Sequence, residues 1–256
     1  MYRRSDTFAS TFASKPNSSM PLLLHIETSA EFCSVCLSED TTILASREGT
    51  ERFTHAAHIT LYVEACLAEA GRTLKELSAV SVSMGPGSYT GLRIGLSAAK
   101  GICYAIDKPL IAVSTLEALA SAAYELKKED ALYIPMIDAR RMEVYTATFD
   151  ATQNKIKDTE ALILTENAFS EQLENNTKVI FCGNAVEKAQ TVITSSYADF
   201  QPLISVASHL IIPALRKWRA KDFADVAYSA PFYFKNPNIT TPKPNVLNKI
   251  MNSKNI

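Results

Sequence analysis

The feature that most constrains this sequence is a pattern that occurs twice. A hydrophobic strand ending in an acidic residue, a short turn and a second strand occur at His25–Leu37, "HIETSAEFCSVCL", and again at Met136–Phe149, "MIDARRMEVYTATF". The two acids, Glu27 and Asp138, are offset by 111 residues. A repeat of this length indicates two lobes of the same supersecondary structure, placed side by side with a cleft between them.

The hydrophobic pattern predicts the same order of elements in both halves. Three short strands are followed by a helix over 55–71, a strand, a helix over 88–106 and a strand. The second half again gives three strands, followed by a helix in "ENAFSEQLENN", a strand in "KVIFCG", a helix in "NAVEKAQTVITSS" and a strand in "PLISV". It ends in a last helix that Pro213 is expected to kink. The predicted fold class is α/β with a β-β-β-α-β-α unit repeated. It resembles the duplicated ribonuclease-H-like fold of the superfamily that contains actin, sugar kinases and chaperone ATPases.

This order divides the chain into four segments. The first lobe is expected over 20–114 and the second over 115–235, with the last helix able to pack back on the first lobe. Residues 1–19 are interpreted as a disordered extension or as a segment before a true start at Met20, and an organelle transit peptide is the alternative. After Asp225 the chain has lysines but no acid, so 236–256 is interpreted as a flexible basic tail.

Net charge, apolar runs and cysteines argue against several classes of protein. The formal net charge is −1 and the pI about 6.4, so the chain has no overall basic field for capturing nucleic acid alone. No apolar run reaches the length of a membrane helix. Five scattered cysteines favour reduced thiols in the cytoplasm. Cys33 and Cys36 form a C-x-x-C pattern on a predicted strand, which would place them on opposite faces rather than in a metal or redox pair.

The stretch Met84–Gly95, "MGPGSYTGLRIG", contains four glycines but matches neither common phosphate-binding motif. It lacks the lysine of a P-loop, and its glycine spacing differs from the dinucleotide fingerprint. Amides at the start of the following helix could still attract an anion. Together with the two repeated acids, this gives a candidate nucleotide-binding set: Glu27, Gly85, Gly87, Ser88 and Asp138.

Small side chains recur along both helices of the first half. Glycine inside a helix costs about 1 kcal/mol relative to alanine, a cost that is offset where another backbone must approach closely. We interpret these residues as a partner interface that would form a four-helix bundle, with burial in the chain's own inter-lobe contact as the alternative. The predicted interface residues are Ala57, Leu61, Ala65 and Ala68 on the first helix and Gly91, Gly95, Ala98, Ala99 and Cys103 on the second. Replacing Gly95 by Leu is expected to abolish pairing without unfolding the monomer.

The remaining candidate catalytic groups form no recognisable set. His55 and His58 are three residues apart, one short of the usual helical metal-binding spacing, so no metal site is predicted. His25 lies in an apolar strand and is expected to be a hydrogen-bonded core histidine. The pattern contains no Ser-His-Asp arrangement and no nucleophile elbow.

Four stretches together resemble one protein family. They are "IETSAEFCSVCLS", "GPGSYTGLRIGLSAAKGICYAIDKPLIAVSTLEALA", "MIDARRMEVYTATF" and "APFYFK", and the resemblance extends from Leu22 to Lys235. They resemble the TsaB (YeaZ) family, the non-catalytic partner of TsaD in bacterial synthesis of threonylcarbamoyladenosine in tRNA. At the position of Glu27 that family usually has Asp. This difference argues against a nucleotide site at that turn.

The resemblance implies an accessory role in a complex. Direct binding of TsaD through the two helices is expected, with a homodimer when the chain is alone. TsaE would join through that complex, and TsaC would make threonylcarbamoyl-adenylate from threonine, bicarbonate and ATP. The chain itself would need no cofactor, since ATP and magnesium are used by the wider complex. It would contact tRNA only through that complex, and it would not bind a membrane. An independent ATPase or peptidase-like enzyme and a self-associating module are the alternatives.

Overall fold

The computed structural model describes residues 20–50, 55–174 and 177–234. Within these ranges the chain forms two five-stranded sheets that helices cover on both faces. The expected extension at 1–19 and the expected tail at 236–256 lie outside the described residues.

The first sheet is formed by the strands of the first half and has the order β3-β2-β1-β4-β5. Its central strand β1 pairs antiparallel with β2 and parallel with β4. Because β1 is buried on both faces, its sequence "LLLHIE" is apolar almost throughout. The strands are β1 (Leu22–Glu27), β2 (Ser34–Glu39), β3 (Thr42–Glu48), β4 (Ala79–Ser83) and β5 (Leu110–Val113).

Two helices cover one face of this sheet. They are α1 (His55–Glu69) and α2 (Tyr89–Ile106), and both contribute to one core with β1 and β2. Ser88 is the N-cap of α2, and its Oγ accepts a hydrogen bond from the Gly91 amide at 3.2 Å. The helix ends at Asp107, which adopts a left-handed conformation with φ 52°. Between these ends, α2 runs back across the sheet from the end of β4 to the start of the parallel strand β5.

A helix that the sequence pattern did not predict lies between the two sheets. This helix, α3 (Thr115–Lys127), follows β5. Ala118 packs with the core on the second face of the first sheet, whereas other α3 side chains pack on the second sheet. Those side chains are Leu116, Leu119, Ala120 and Ala123. The junction between the lobes is therefore a hydrophobic core with α3 at its centre.

The second sheet repeats the first. Its order, β10-β9-β6-β7-β8, matches that of the first sheet when read from the opposite edge. Glu27 ends β1 and Asp138 ends β6, as the repeated sequence pattern indicated, so the two-lobe α/β fold is confirmed. The strands are β6 (Leu132–Asp138), β7 (Glu143–Phe149), β8 (Lys155–Ile163), β9 (Val179–Gly183) and β10 (Ala198–Pro202).

The helices of the second lobe are shorter than predicted. They are α4 (Ser170–Glu174) and α5 (Val186–Gln190), where the pattern suggested about three turns each. After α5 the β-branched run from Thr191 to Thr194 disfavours further helix. The strand expected in "PLISV" lies a few residues earlier, at β10.

The end of the described chain returns to the first lobe. A 3-10 turn at Ala207–Leu210 leads into α6 (Ile211–Ala220), and both pack against the first sheet on the face opposite α1 and α2. Pro213 lies in the first turn of α6, directly after the 3-10 turn, where its missing amide hydrogen breaks no hydrogen bond within α6. Beyond α6, the Ala224 amide donates to the Leu110 carbonyl at 2.8 Å.

Candidate functional site

The glycine-rich turn after β4 is packed tightly by the chain itself. A Cβ added to Gly85 would lie 2.7 Å from the Phe232 carbonyl oxygen, and one added to Gly87 would lie 2.6 Å from the Ser29 Cβ. The Ser88 amide donates to the Ser29 carbonyl at 2.7 Å. Protein atoms therefore fill the space beside these glycines in which the sequence pattern had suggested a phosphate.

Glu27 is fully buried beside this turn. Its Oε1 accepts hydrogen bonds from the Ser29 amide and from Ser83 Oγ at 2.8 Å. Its Oε2 accepts one from Ser205 Oγ at 2.7 Å, across 178 residues of sequence. Both carboxylate oxygens are thus engaged inside the protein, and the bond from Ser205 links the second half of the chain to the end of β1.

Asp138, the equivalent acid of the second lobe, has a different environment. It is exposed, and its Oδ1 accepts from Lys188 Nζ at 2.5 Å and from the Arg140 amide at 2.8 Å. Among the described residues, no hydrogen bond joins it to Glu27 or to the glycine turn. The predicted nucleotide-binding residues therefore do not converge on one open site, and the groups present do not fit a nucleotide with magnesium.

The small stripe on α2 faces inward, which corrects part of the predicted partner interface. A Cβ on Gly91 would lie 2.1 Å from the Thr28 carbonyl oxygen, and one on Gly95 would lie 2.1 Å from Thr28 Oγ1. Ala99 and Cys103 continue this stripe and are buried in the core of the first lobe. The small residues let α2 approach the end of β1, so a leucine at position 95 would clash inside the monomer.

The predicted stripe on α1 does face outward. Leu61 is 56% exposed, Ala57 and Ala68 are exposed, and Ala65 is half-buried. The opposite side of α1 packs on the sheet through residues that belong to the first-lobe core: Ile59, Val63, Cys66 and Leu67.

A second outward stripe on α2 was missed by the sequence analysis. Ser97, Gly101 and Ala105 recur every four residues and are exposed, and Tyr104 beside them is 86% exposed. Ala98, which was predicted for the interface, is half-buried at the edge of this stripe. A Cβ on Gly101 would meet no atom within 4 Å. Because α1 and α2 pack side by side, their outward stripes form one continuous surface, which we call the helix face.

The remaining candidates are structural. His25 is fully buried, with Nδ1 2.6 Å from Ser81 Oγ and Nε2 2.9 Å from Ser38 Oγ, and burial lowers its pKa to about 3. This confirms a hydrogen-bonded core histidine. Cys33 and Cys36 are buried in the cores on opposite faces of the first sheet, as predicted from strand geometry.

The sequence analysis predicted no metal site at the two histidines of α1, His55 and His58. His58 stacks on Tyr62 with ring centroids 5.4 Å apart, and the side chain of His55 lies outside the described part of the chain. Within residues 20–50, 55–174 and 177–234, His, Cys, Asp and Glu side chains form no group of three or more that could hold a metal ion. None of the helices in these ranges is long and apolar enough to cross a membrane.

A family model and several known proteins resemble the sequence of this chain. A sequence model of the family described as "TsaD: tRNA N6-adenosine threonylcarbamoyltransferase" matches residues 50–243. The tRNA threonylcarbamoyladenosine biosynthesis protein TsaB of Escherichia coli K12 is 29% identical over 220 residues, which cover 84% of this chain and 94% of that protein. The protein of the same name from Haemophilus influenzae is 40% identical over 128 residues, covering 48% of this chain and 51% of that protein.

The structural match covers most of the molecule. The solved structure of YeaZ from Pseudomonas aeruginosa superimposes with a TM-score of 0.74 at 26% identity, over 84% of this chain and all of that one. Together with the repeated sheet order and the glycine-rich turn before α2, these matches show that the chain belongs to the TsaB (YeaZ) family, within the wider family that the TsaD model describes.

Proposed function

We propose that the chain is a non-catalytic accessory subunit in the synthesis of threonylcarbamoyladenosine in tRNA. Through its helix face it binds a TsaD-type transferase and holds it active for N6-threonylcarbamoylation of adenosine 37, in tRNAs that read codons beginning with A. The proposal draws on the pathway named for the E. coli and H. influenzae relatives. The observation that carries it is the unpartnered helix face.

The helix face has the character of a surface that another helix pair can approach. Each helix already buries one stripe in the core, and a surface helix needs only one apolar stripe. The second stripe on α2 is made of serine, glycine and alanine with one exposed tyrosine, Tyr104. The serine, glycine and alanine side chains project little, so the backbone of a partner helix can come close there, with Tyr104 projecting beside them. Glu64 is also exposed on the outward side of α1, where its carboxylate could fix the position of a partner helix along the helix face.

The closed environment of Glu27 is consistent with the proposed non-catalytic role. The carboxylate oxygens of Glu27 are already bonded to Ser29, Ser83 and Ser205 and have no contact with solvent. A general base needs an oxygen within hydrogen-bond reach of the substrate, and a magnesium ligand needs one that faces the ion. ATP and magnesium would therefore be used elsewhere in the complex, and this chain would need no cofactor of its own.

The other partners follow from the same proposal. Without the transferase, the helix face would pair with a second copy of the chain, giving a homodimer that competes with the active complex. TsaE would join through the complex, and TsaC would supply threonylcarbamoyl-adenylate. The compartment proposed for all these steps is the cytoplasm.

The test is complex formation with the TsaD protein of the same organism, followed by size-exclusion chromatography. Gly101→Leu adds bulk to the helix face where no internal atom is close, and Leu61→Arg adds a charge. Both are expected to abolish co-elution. Leu126→Arg, at a leucine 64% exposed on α3, is the matched control and should co-elute normally. Normal co-elution of both helix-face variants would contradict the proposal.

A further inference from the structure

The segment after α6 crosses from the first lobe towards the second. Lys100 Nζ on α2 donates to the Ala227 carbonyl at 3.0 Å, and the Phe232 amide donates to the Met84 carbonyl at 2.7 Å. The segment therefore runs along α2 towards its N-terminus and passes over the glycine turn. We call residues 224–234 the strap.

Aromatic rings at the end of the strap contact both lobes. Tyr233 lies against Tyr89 of α2 with ring centroids 4.6 Å apart. Phe232 and Phe234 are 6.0 Å apart, and Phe234 is 5.7 Å from Tyr145 on β7 of the second lobe. Despite these contacts, Phe232 is 48% exposed and Phe234 is 38% exposed. The two phenylalanines and Tyr145 thus form a cluster of rings that is partly open to solvent, and clustered rather than isolated exposed apolar groups are typical of binding surfaces.

The Tyr233 ring is held rigidly from below. The Arg93 guanidinium lies 4.6 Å from the Tyr89 ring centroid, and its Nε donates to the Tyr233 hydroxyl at 3.0 Å. A ring fixed in this way loses little further entropy when a ligand packs on the neighbouring rings.

Two arginines lie at the tip of the hairpin that carries Tyr145. Arg140 and Arg141 connect β6 to β7 and both have positive φ, 72° and 52°, a conformation that is unfavourable for arginine. Both are exposed, and no residue of the described part of the chain forms an ion pair with either. The nearby Asp138 is paired with Lys188, so it does not neutralise them.

The arginines lie beyond Tyr145 on the same hairpin, and Tyr145 contacts Phe234 of the strap. Tyr145 pairs with Ile137 in the β6–β7 ladder, and the next pair, Asp138 with Val144, precedes the turn. At about 3.4 Å per residue, the arginines lie roughly 10–14 Å beyond Tyr145 along the hairpin. A single-stranded segment of a few nucleotides, on the order of the smallest binding sites for such strands, reaches across that distance.

We propose that this surface binds single-stranded RNA, with bases stacked on Phe232 and Phe234 and phosphates bound by Arg140 and Arg141. Exposed aromatic rings beside arginines are the combination that recognises unpaired nucleotides, since every base has a π-face and every phosphate a charge. The choice of RNA as the ligand rests on the proposed function, in which an unpaired loop of tRNA is brought to the complex. With only two rings and two arginines, the contact is expected to bind RNA weakly, and the other subunits of the complex would add to the affinity.

The test uses the full chain without partners and a fluorescein-labelled single-stranded oligoadenylate of about 12 nucleotides. Fluorescence anisotropy is measured over a series of salt concentrations. Asn tolerates positive φ, so Arg140→Asn with Arg141→Asn removes both charges without straining the turn. This double variant should lower the slope of log affinity against log salt by about 1.4. Phe234→Ala should weaken binding about tenfold, and Phe234→Trp should restore it.

A double variant on β8 provides the matched control. Lys155→Asn with Lys157→Asn removes the same number of charges from lysines that pair with Asp158 and Glu160. It should leave the RNA affinity and the salt slope near those of the natural chain. An equal loss in this control, or no RNA binding by the natural chain even at low salt, would overturn the proposal.

A protein contact at the same surface would give a different result. In that case the arginine and Phe234 variants would bind RNA like the natural chain but lose the complex with TsaD, and the RNA proposal would be wrong. Because the RNA titration contains no partner, its failure is distinguishable from a failure of helix-face docking, which the size-exclusion experiment measures separately.

Discussion

Glu27 and Asp138 end equivalent strands, yet their surroundings give them different roles. Glu27 accepts three hydrogen bonds inside the protein, whereas Asp138 forms an exposed ion pair with Lys188. Glu27→Ala leaves three buried donors without an acceptor and should lower the free energy of unfolding by about 3 kcal/mol. Asp138→Ala should lower it by about 1 kcal/mol or less. Urea denaturation measures both, and equal effects would contradict this reading of the two acids.

Two glycines of α2 provide a second contrast between residues. Gly95→Ala places a methyl group 2.1 Å from Thr28 Oγ1, so the helix must shift and stability should fall by about 1–3 kcal/mol. Gly101→Ala meets nothing within 4 Å and should raise stability by about 0.5–1 kcal/mol, because alanine is the better helix former. Thermal unfolding of the two variants gives the sign directly. Stabilisation by Gly95→Ala would show that α2 does not pack closely on Thr28.

Because His25 is buried, the free energy of unfolding should decrease as the pH falls. Burial lowers its pKa from 6.5 to about 3, so above pH 6.5 the imidazole is neutral in both the folded and the unfolded chain. Below that pH the unfolded chain binds a proton that the folded chain excludes, and stability falls as pH falls. Between pH 7 and pH 5 this group should cost about 2 kcal/mol. Denaturation of the His25→Asn variant at both pH values should show a smaller change, and an equal change would exclude His25 as its cause.

At the scale of elements, the strap should stabilise α2 through one ring. Tyr233→Ala removes the contact with Tyr89 and the hydrogen bond from Arg93, and should cost about 1–2 kcal/mol of unfolding free energy. Tyr228→Ala, at a strap tyrosine that is 88% exposed, should change it by less than about 0.5 kcal/mol. If both variants unfold at the natural midpoint, the strap does not contribute to stability through Tyr233.

The sequence indicated the existence of α1 and α2 but only part of their orientation. Apolar periodicity identified the outward stripe of α1 because its two stripes differ in size. On α2 both sides carry small residues, so the pattern could not distinguish Gly91 and Gly95, which touch Thr28, from Ser97 and Gly101, which face outward. Only the position of β1 beneath the helix decides between them, and that position is a tertiary contact.

At the scale of the whole molecule, the repeat predicted the architecture but not the junction. The two sheets and their equivalent acids follow from the pattern at His25–Leu37 and Met136–Phe149. The sequence also contained a signal for α3, since Ser114 and Glu117 have capping-box spacing before an apolar run, although the Ser114 side chain makes no cap hydrogen bond. The bond from Ser205 to Glu27 spans 178 residues, and no local pattern encodes such a contact.

The measurement that tests the central claim most directly is formation of threonylcarbamoyladenosine on unmodified tRNA. The reaction contains TsaC, TsaD and TsaE of the same organism, with this chain added, omitted or replaced by Leu61→Arg. The account predicts product when the natural chain is present and little product with the variant or without the chain. Equal product in all three reactions would contradict the accessory role.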